Sequence, residues 1–356
     1  MVVAVLAIIL TLILVVGLHE AGHALVARLF LIKIKRISIG FGKPLLQWSS
    51  KNGCEWVWGM WPLGGYVQLL NTRIAPVKSQ NYSQCFDKKP VWKRILVLLA
   101  GSLANFVLAW MFFSIVFLIG MQDKPPEIQS ITKNSRAAQA GMMSGDQFVS
   151  INGTPTPSWR EVGMKLVELW GKKEVTITVK RSENDLKKFI LNLDKINFGE
   201  KKQSLLSSIG IAPNAKAITK KAPKLTISAA MTQANATIIQ WLYFFLMVLK
   251  QLIIGAIPFS VLLGPIGLFA VSITSLSQGI VVFMFFIASL STAVALVNLF
   301  PIPGLDGGSI LYALIEKIRG KPLSVAMELL LYRLVVIVFA LLLVHLLMND
   351  LQRFYS

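Results

Sequence analysis

His19-Glu20-Ala21-Gly22-His23 is the stretch of this chain best equipped for chemistry. On a helix, residues four apart share a face with Cβ atoms about 5–6 Å apart, so both histidines can offer a ring nitrogen to one Zn²⁺. Glu20, beside the first ligand, is placed to act as a base toward water at the metal. Neutral imidazole suits zinc, which lowers the pKa of bound water to about 7. The same residues could simply turn three polar side chains toward a bundle interior. Their setting argues otherwise. A carboxylate in mid-membrane costs about 2.5–3.5 kcal/mol on insertion scales, so ionisable groups there are functional by default. Two of the chain's three histidines are spent on this one turn.

A catalytic zinc has three protein ligands and one open position. The candidate for the third is Asp306, in the run NLFPIPGLDGG that starts at Asn298 and ends at Gly308. Pro301 and Pro303 break the preceding helix, and the glycines allow close backbone approach. Composition alone leaves Asp306 a second role, capping the helix that follows. His345, alone in the last apolar segment, reads as a packing residue.

The elements that must position these groups are membrane helices. Of 356 residues 54% are hydrophobic and 15% charged, and the mean hydropathy is +0.63. Apolar segments lie at 2–31, 95–120, 237–257, 280–300 and 334–348, which marks a polytopic membrane protein. The first lacks a basic leader and runs straight through the histidine pair, so it is expected to be retained as a span. At 1.5 Å per residue His19 lies about 26 Å from Val2 in a core about 30 Å thick, below the far surface.

The net charge of +19 would suggest nucleic acid in a soluble protein, but no aromatic-interleaved basic module accompanies it. Membrane topology accounts for it instead. Residues 28–94 hold 12 Lys and Arg against the acids Glu55 and Asp87, which places that loop in the cytosol and the N-terminus outside. The polar stretch 122–224 then lies outside. It shows strand alternation at 174–180 and an Asn152-Gly153 turn, the marks of a separate small domain. Cys54 and Cys85 fall in the cytosolic loop and read as reduced packing residues.

Segment 237–257 is ambiguous. Thr237, Gln240, Met247, Lys250 and Gln251 draw a weakly polar stripe along one helical face, which suits a helix lying in the interface as well as one crossing. Bringing Asp306 to the cytoplasmic half requires 280–300 to run inward. Segment 237–257 is therefore expected to stay on the outer face.

With both metal motifs in place, the chain resembles the site-2 protease family of intramembrane metalloproteases, specifically its bacterial branch. The resemblance covers nearly the whole chain. It rests on HEAGH, on SIGFG from Ser38 and PLGGYV from Pro62, on AGSLANF from Ala100, and on NLFPIPGLDGG. It implies that His19, His23 and Asp306 bind one zinc and that Glu20 is the catalytic base. It further implies that Asn298 holds unwound substrate and that 38–70 form a membrane-associated β-loop. Gly64, Gly65 and Tyr66 of that loop would clamp substrate as a strand, consistent with strand addition. Asn105 would orient substrate or stabilise an oxyanion, unless it is a helix-packing residue. Residues 135–153 resemble a PDZ domain, which takes peptide ends. Ser102 and Ser309 stand where the family commonly has Pro and His, and there is room for one PDZ domain where well-known members carry two.

The expected architecture is a polytopic α-helical membrane protein of about four spans, with a β-loop and one inserted PDZ-like α/β domain. Residues 1–121 form the first membrane region, 122–213 the periplasmic domain, 214–259 a linker with the interfacial helix, and 260–356 the second membrane region. The expected location is the bacterial inner membrane, with the N-terminus and PDZ-like domain periplasmic and the active site in the cytoplasmic half. The expected partners are lipid and single-span membrane proteins, cut in their transmembrane segments, either anti-sigma factors or leftover signal peptides. The rival from another class is a non-catalytic scaffold or transporter with a structural metal.

Overall fold

The computed structural model describes residues 2–50, 53–182, 185–196, 204–214, 217, 219–221 and 223–355. Within the expected periplasmic domain and linker, 183–184, 197–203, 215–216, 218 and 222 lie outside the described residues. The chain divides into two units. Met1–Val116, Ala230–Ile238 and Pro265–His345 form the first, and Phe117–Ala229, Ile239–Gly264 and Leu346–Ser356 the second.

In chain order the principal elements begin with α1 (Val2–Leu29), β1 (Ile34–Ser49), β2 (Glu55–Leu69) and α2 (Val91–Ile119). There follow β3 (Ile128–Ile131), β4 (Gln147–Ile151), β5 (Thr154–Pro155), α3 (Trp159–Leu169), β6 (Val175–Ser182), β7 (Asp185–Leu191) and β8 (Ile211–Pro213). The chain closes with α4 (Ile227–Ile253), α5 (Pro265–Gln278), α6 (Ile280–Asn298), α7 (Asp306–Arg319) and α8 (Val325–Tyr355).

Among the described residues six helices are long and apolar enough to cross a bilayer, where about four spans were expected. The unanticipated one, Phe259–Gln278, is broken by Gly264-Pro265 and diluted by Ser272, Thr274, Ser275 and Ser277. Ser272, Thr274 and Ser277 each have a hydrogen-bond partner. Ser272 Oγ is 2.8 Å from Thr11 Oγ and 3.3 Å from the Ala7 carbonyl, which ties α5 to the N-terminal half of α1.

Helix α1 is not uniform. Leu12–Gly17 form π-helical turns just before the histidine motif. In an α-helix, residues four apart drift by about 40° around the axis. The wider π turns oppose that drift. Thr11, Val15 and His19 therefore face one cavity, as do Leu12, Val16 and Glu20.

Helices α1 and α2 cross at glycines. A Cβ on Gly22 would sit 2.5 Å from the Ala100 carbonyl oxygen, and one on Gly101 would sit 2.3 Å from His23 Nε2. Beyond this crossing, β1 and β2 pack over α1. Ile34, Ile37 and Cys54 join Ala24, Ala27 and Val97 in one buried cluster. The two strands pair from Ile34↔Leu69 to Ile39↔Gly65 and again from Pro44↔Gly59 to Ser49↔Glu55. Residues 36–39 also bridge 55–58. Residues 65–69 are thereby left at an edge of the sheet.

In the second unit, β4 is flanked by β5 and β6, and β7 pairs with β6. The β4–β5 hairpin turns at Asn152 and Gly153, both with positive φ (47° and 76°), as a tight two-residue turn requires. Phe148, Ile151, Leu166, Ile177 and Leu191 fill the core, each contributing about 1.5–3 kcal/mol by burial. Residues of α4 pack on the same core, through Phe244, Val248 and Leu252. Gln251 is buried there, and its Nε2 donates to the carbonyls of Val167 (3.0 Å) and Trp170 (3.3 Å). Its polarity thus closes the C-terminal end of α3 rather than marking a solvated stripe. Near the chain's end, Asn349 Nδ2 donates to the Ser260 and Leu262 carbonyls (2.9 Å each), and Asp350 accepts from the Gly264 amide at 2.9 Å.

Replacing Gln251 by Leu strands two carbonyls at the end of α3. We expect a loss of about 1–3 kcal/mol, read as a lower thermal midpoint of the full-length protein; an unchanged midpoint would show the contact to be idle.

Candidate metal centre

Three elements bring their polar atoms to one point. His19 and His23 come from α1, and Asp306 from the first turn of α7. His19 Nε2, His23 Nε2 and Asp306 Oδ2 form a triangle with every side 3.2 Å. Ligands about 2.0–2.2 Å from a tetrahedral zinc lie roughly 3.3–3.5 Å apart, so this triangle matches one face of such a site. All three are acceptors, and Asp306 Oδ2 has no hydrogen-bond donor. Lone pairs converging this closely in a buried place repel one another unless a cation stands between them. The donor set fits zinc.

Local structure explains how each group arrives. The His23 ring is oriented from behind, its Nδ1 donating to the Val97 carbonyl at 2.7 Å, which leaves Nε2 with its lone pair forward. Asp306 is the first residue of α7, after Leu305 at the cap position. Its carboxylate turns to the histidines instead of capping the helix. Gly307 and Gly308 permit this, since a Cβ on either would lie 2.3 Å and 2.2 Å from carbonyl oxygens of the preceding loop. At the other end of α7, Glu316 receives Arg94 of α2, with both oxygens 2.9 Å from Nη1. The helix that delivers the aspartate is thus tied to the one that orients His23.

Two cavities meet at the triangle. The larger, about 480 Å³, is mostly apolar and extends along α1, α5 and α6. The smaller, about 230 Å³, holds His19, His23, Asp306 and Glu20 against the strand edge at Gly65, Tyr66 and Val67. Glu20 is buried and lines both. So does Asn298, whose Nδ2 donates back to the Val294 carbonyl at 3.1 Å. Gly64 and Gly65 line the apolar cavity. Gly65 presses so close that a Cβ there would lie 3.1 Å from Glu20 Cγ.

Asn105 is placed differently. It is fully buried behind His19, its Nδ2 3.4 Å from Nδ1, and it lines neither cavity. His345, expected to pack, is exposed along α8, and among the described residues it joins no metal-binding group. Cys54 and Cys85 are buried and free, and burial pushes both thiols up. Val97, Arg94 and Glu316 carry no signal in the sequence, and Gly101 enters there only as part of the AGSLANF motif. A carbonyl partner leaves no trace in a side chain.

Two histidines and an aspartate meeting inside a bundle of apolar helices, with a glutamate beside them, are the parts of a membrane-embedded metallopeptidase. The chain belongs to Peptidase family M50, whose profile matches residues 7–343. It is similar to the regulator of sigma E protease of Haemophilus influenzae, with 29% identity over 95% of this chain and 96% of the relative. It is 28% identical to the Escherichia coli regulator of sigma-E protease RseP, over the same shares. A Rickettsia conorii protein named as a zinc metalloprotease is 31% identical over 99% of both chains. That last alignment spans 363 residues, whereas the one with Escherichia coli spans 431. The longer relative therefore carries additional internal sequence, about one small domain's worth.

A side chain at Gly101 must occupy the space of the histidine rings. Gly101→Val is expected to abolish zinc retention by the full-length protein, measured by elemental analysis after purification; a variant that kept stoichiometric zinc would refute this packing.

Proposed function

We propose that this protein is an intramembrane zinc metalloprotease that hydrolyses peptide bonds within the transmembrane segments of single-span proteins. The observation that carries the reading is the 3.2 Å acceptor triangle set beside Glu20 at the end of an apolar cavity within the helix bundle. His19, His23 and Asp306 would hold one zinc. When bound, zinc supplies Lewis acidity toward a carbonyl oxygen and toward water.

The chain's own residues do the rest. Glu20, buried against Gly65, takes the proton of the attacking water and returns it to the leaving amine. The edge at 65–69 receives substrate as an added strand. A helical peptide bond is sequestered by its own hydrogen bonds, so pairing with an edge draws the chain out and exposes its carbonyl. Gly65 and Tyr66 supply that edge with Gly64 just before it, and the Asn298 carboxamide faces the same space. The apolar cavity accepts the rest of the substrate's membrane segment.

Substrates of this chemistry include anti-sigma factors and leftover signal peptides, as the names of the sigma-E relatives suggest for the first. The second unit acts as a single PDZ-like domain that takes peptide ends, supported by its β5-β4-β6-β7 sheet and Asn-Gly hairpin. The protein lies in the bacterial inner membrane, with its N-terminus and that domain periplasmic and the metal in the cytoplasmic half. Helix α4 stays on the periplasmic side, supported by its packing on the sheet core of the second unit. The grip of 349–353 on 260–264 also supports this. If α8 crosses once from the Asp306 side, its end and that loop share the outer face.

A structural metal in a scaffold or transporter would be closed by a fourth protein ligand. Among the described residues the metal-binding group stops at three, which favours catalysis.

Glu20→Gln should retain zinc while cleavage of a model single-span substrate falls by about 10²–10⁴-fold. Full activity in that variant would end the proposal. Topology is tested separately. Leu263, exposed, is replaced by Cys in a background whose two native thiols are buried. We expect modification by a membrane-impermeant maleimide from the periplasm, and labelling only from the cytosol would reverse the arrangement.

A further inference from the structure

His19 meets its two partners through Nε2, so in the zinc-binding reading above, on which this inference rests, that nitrogen carries a lone pair. The ring's one proton then sits on Nδ1 and needs an acceptor. His23 has one in the Val97 carbonyl, 2.7 Å from its Nδ1. For His19 the group in place is the Asn105 carboxamide, 3.4 Å from Nδ1 and fully buried.

A carboxamide turned half a revolution about its last bond exchanges oxygen for nitrogen with almost no change in shape. With the nitrogen inward, two N–H groups face each other, and Oδ1 is stranded without a partner. With the oxygen inward, Oδ1 accepts from Nδ1–H, and the opposition of two donors is removed. Asn105 cannot serve substrate directly, since it lines neither cavity.

We propose that Asn105 is a positioning residue for zinc binding: its carboxamide oxygen accepts from His19 Nδ1–H and fixes the ring and its tautomer with Nε2 toward the metal. Helix α2 then supplies both rear acceptors, a backbone carbonyl at Val97 and a side chain at Asn105. The first survives any substitution. The second depends on the residue.

The test uses full-length, zinc-loaded protein in detergent, with zinc affinity measured by competition against a chromophoric chelator. Asn105→Leu keeps the shape and removes the acceptor, and should weaken zinc binding roughly ten- to a hundredfold. Asn105→Asp keeps an oxygen at the same reach and should bind zinc close to wild type. Wild-type affinity in Asn105→Leu would overturn the proposal, as would equal weakening in both variants. A raised KM with unchanged zinc affinity would assign Asn105 to substrate and equally overturn it.

A second measurement needs no variant. The chain has three histidines, so histidine-selective nitrogen NMR of the zinc-loaded protein can resolve each ring. Both His19 and His23 should be protonated at Nδ1 and metal-bound at Nε2. A His19 bound through Nδ1 would refute the assignment even if Asn105→Leu failed to fold. Failure of the wild type to hold zinc would instead sink the zinc-site reading itself, and this inference with it.

Discussion

Three acceptor atoms held 3.2 Å apart among apolar helices are a configuration that water would disperse and hydrocarbon alone would not tolerate. Two conditions keep it in place. A cation must stand among the lone pairs, and the surrounding backbone must leave the rings nowhere else to go. The membrane unit meets the second condition through close packing. Gly22 and Gly101 let two helices approach until the histidine rings touch main chain, and Gly307 and Gly308 fold the aspartate's loop onto itself. Rigid packing of this kind preorganises a metal site before any metal arrives.

The parts with side-chain chemistry were readable in the sequence. The HEAGH turn, Asp306 and the interrupted helix before it stood out because each breaks a rule of membrane composition, placing charge or non-helical backbone where neither is cheap. Asp306 had two readings until the structure showed its carboxylate turned to the histidines. By period Gln251 belongs to a weakly polar stripe that suits an interfacial helix as well as a crossing one, whereas in the structure it satisfies carbonyls in a buried contact. A periodicity argument cannot tell solvent from a helix end. Helix α5 was missed because serines that hydrogen-bond locally or to a neighbouring helix look, in a hydropathy window, like surface.

If substrate adds to the strand edge beside Glu20, selectivity takes a particular form for this protein. An edge pairs with main chain, which every substrate presents alike. The apolar cavity next to it asks only for greasy side chains, which every membrane segment offers. Discrimination would then fall to the free energy of unwinding a particular stretch of substrate helix. Residues with poor helix propensity, such as Gly or Asn, lower that cost by up to about 1 kcal/mol each.

The π turns at Leu12–Gly17 carry a consequence for how this sequence can change over evolutionary time. They set the angular phase between the N-terminal apolar half of α1 and the half that carries His19 and His23. Any single apolar substitution there leaves the phase alone. A one-residue deletion preserves hydropathy, every motif and the length needed to span, yet rotates the N-terminal half by about 100°. The helix would still insert, but its cavity-facing stripe would be dealt to lipid. Length at this point of the chain is therefore under tighter constraint than identity, the reverse of the usual order for a membrane helix.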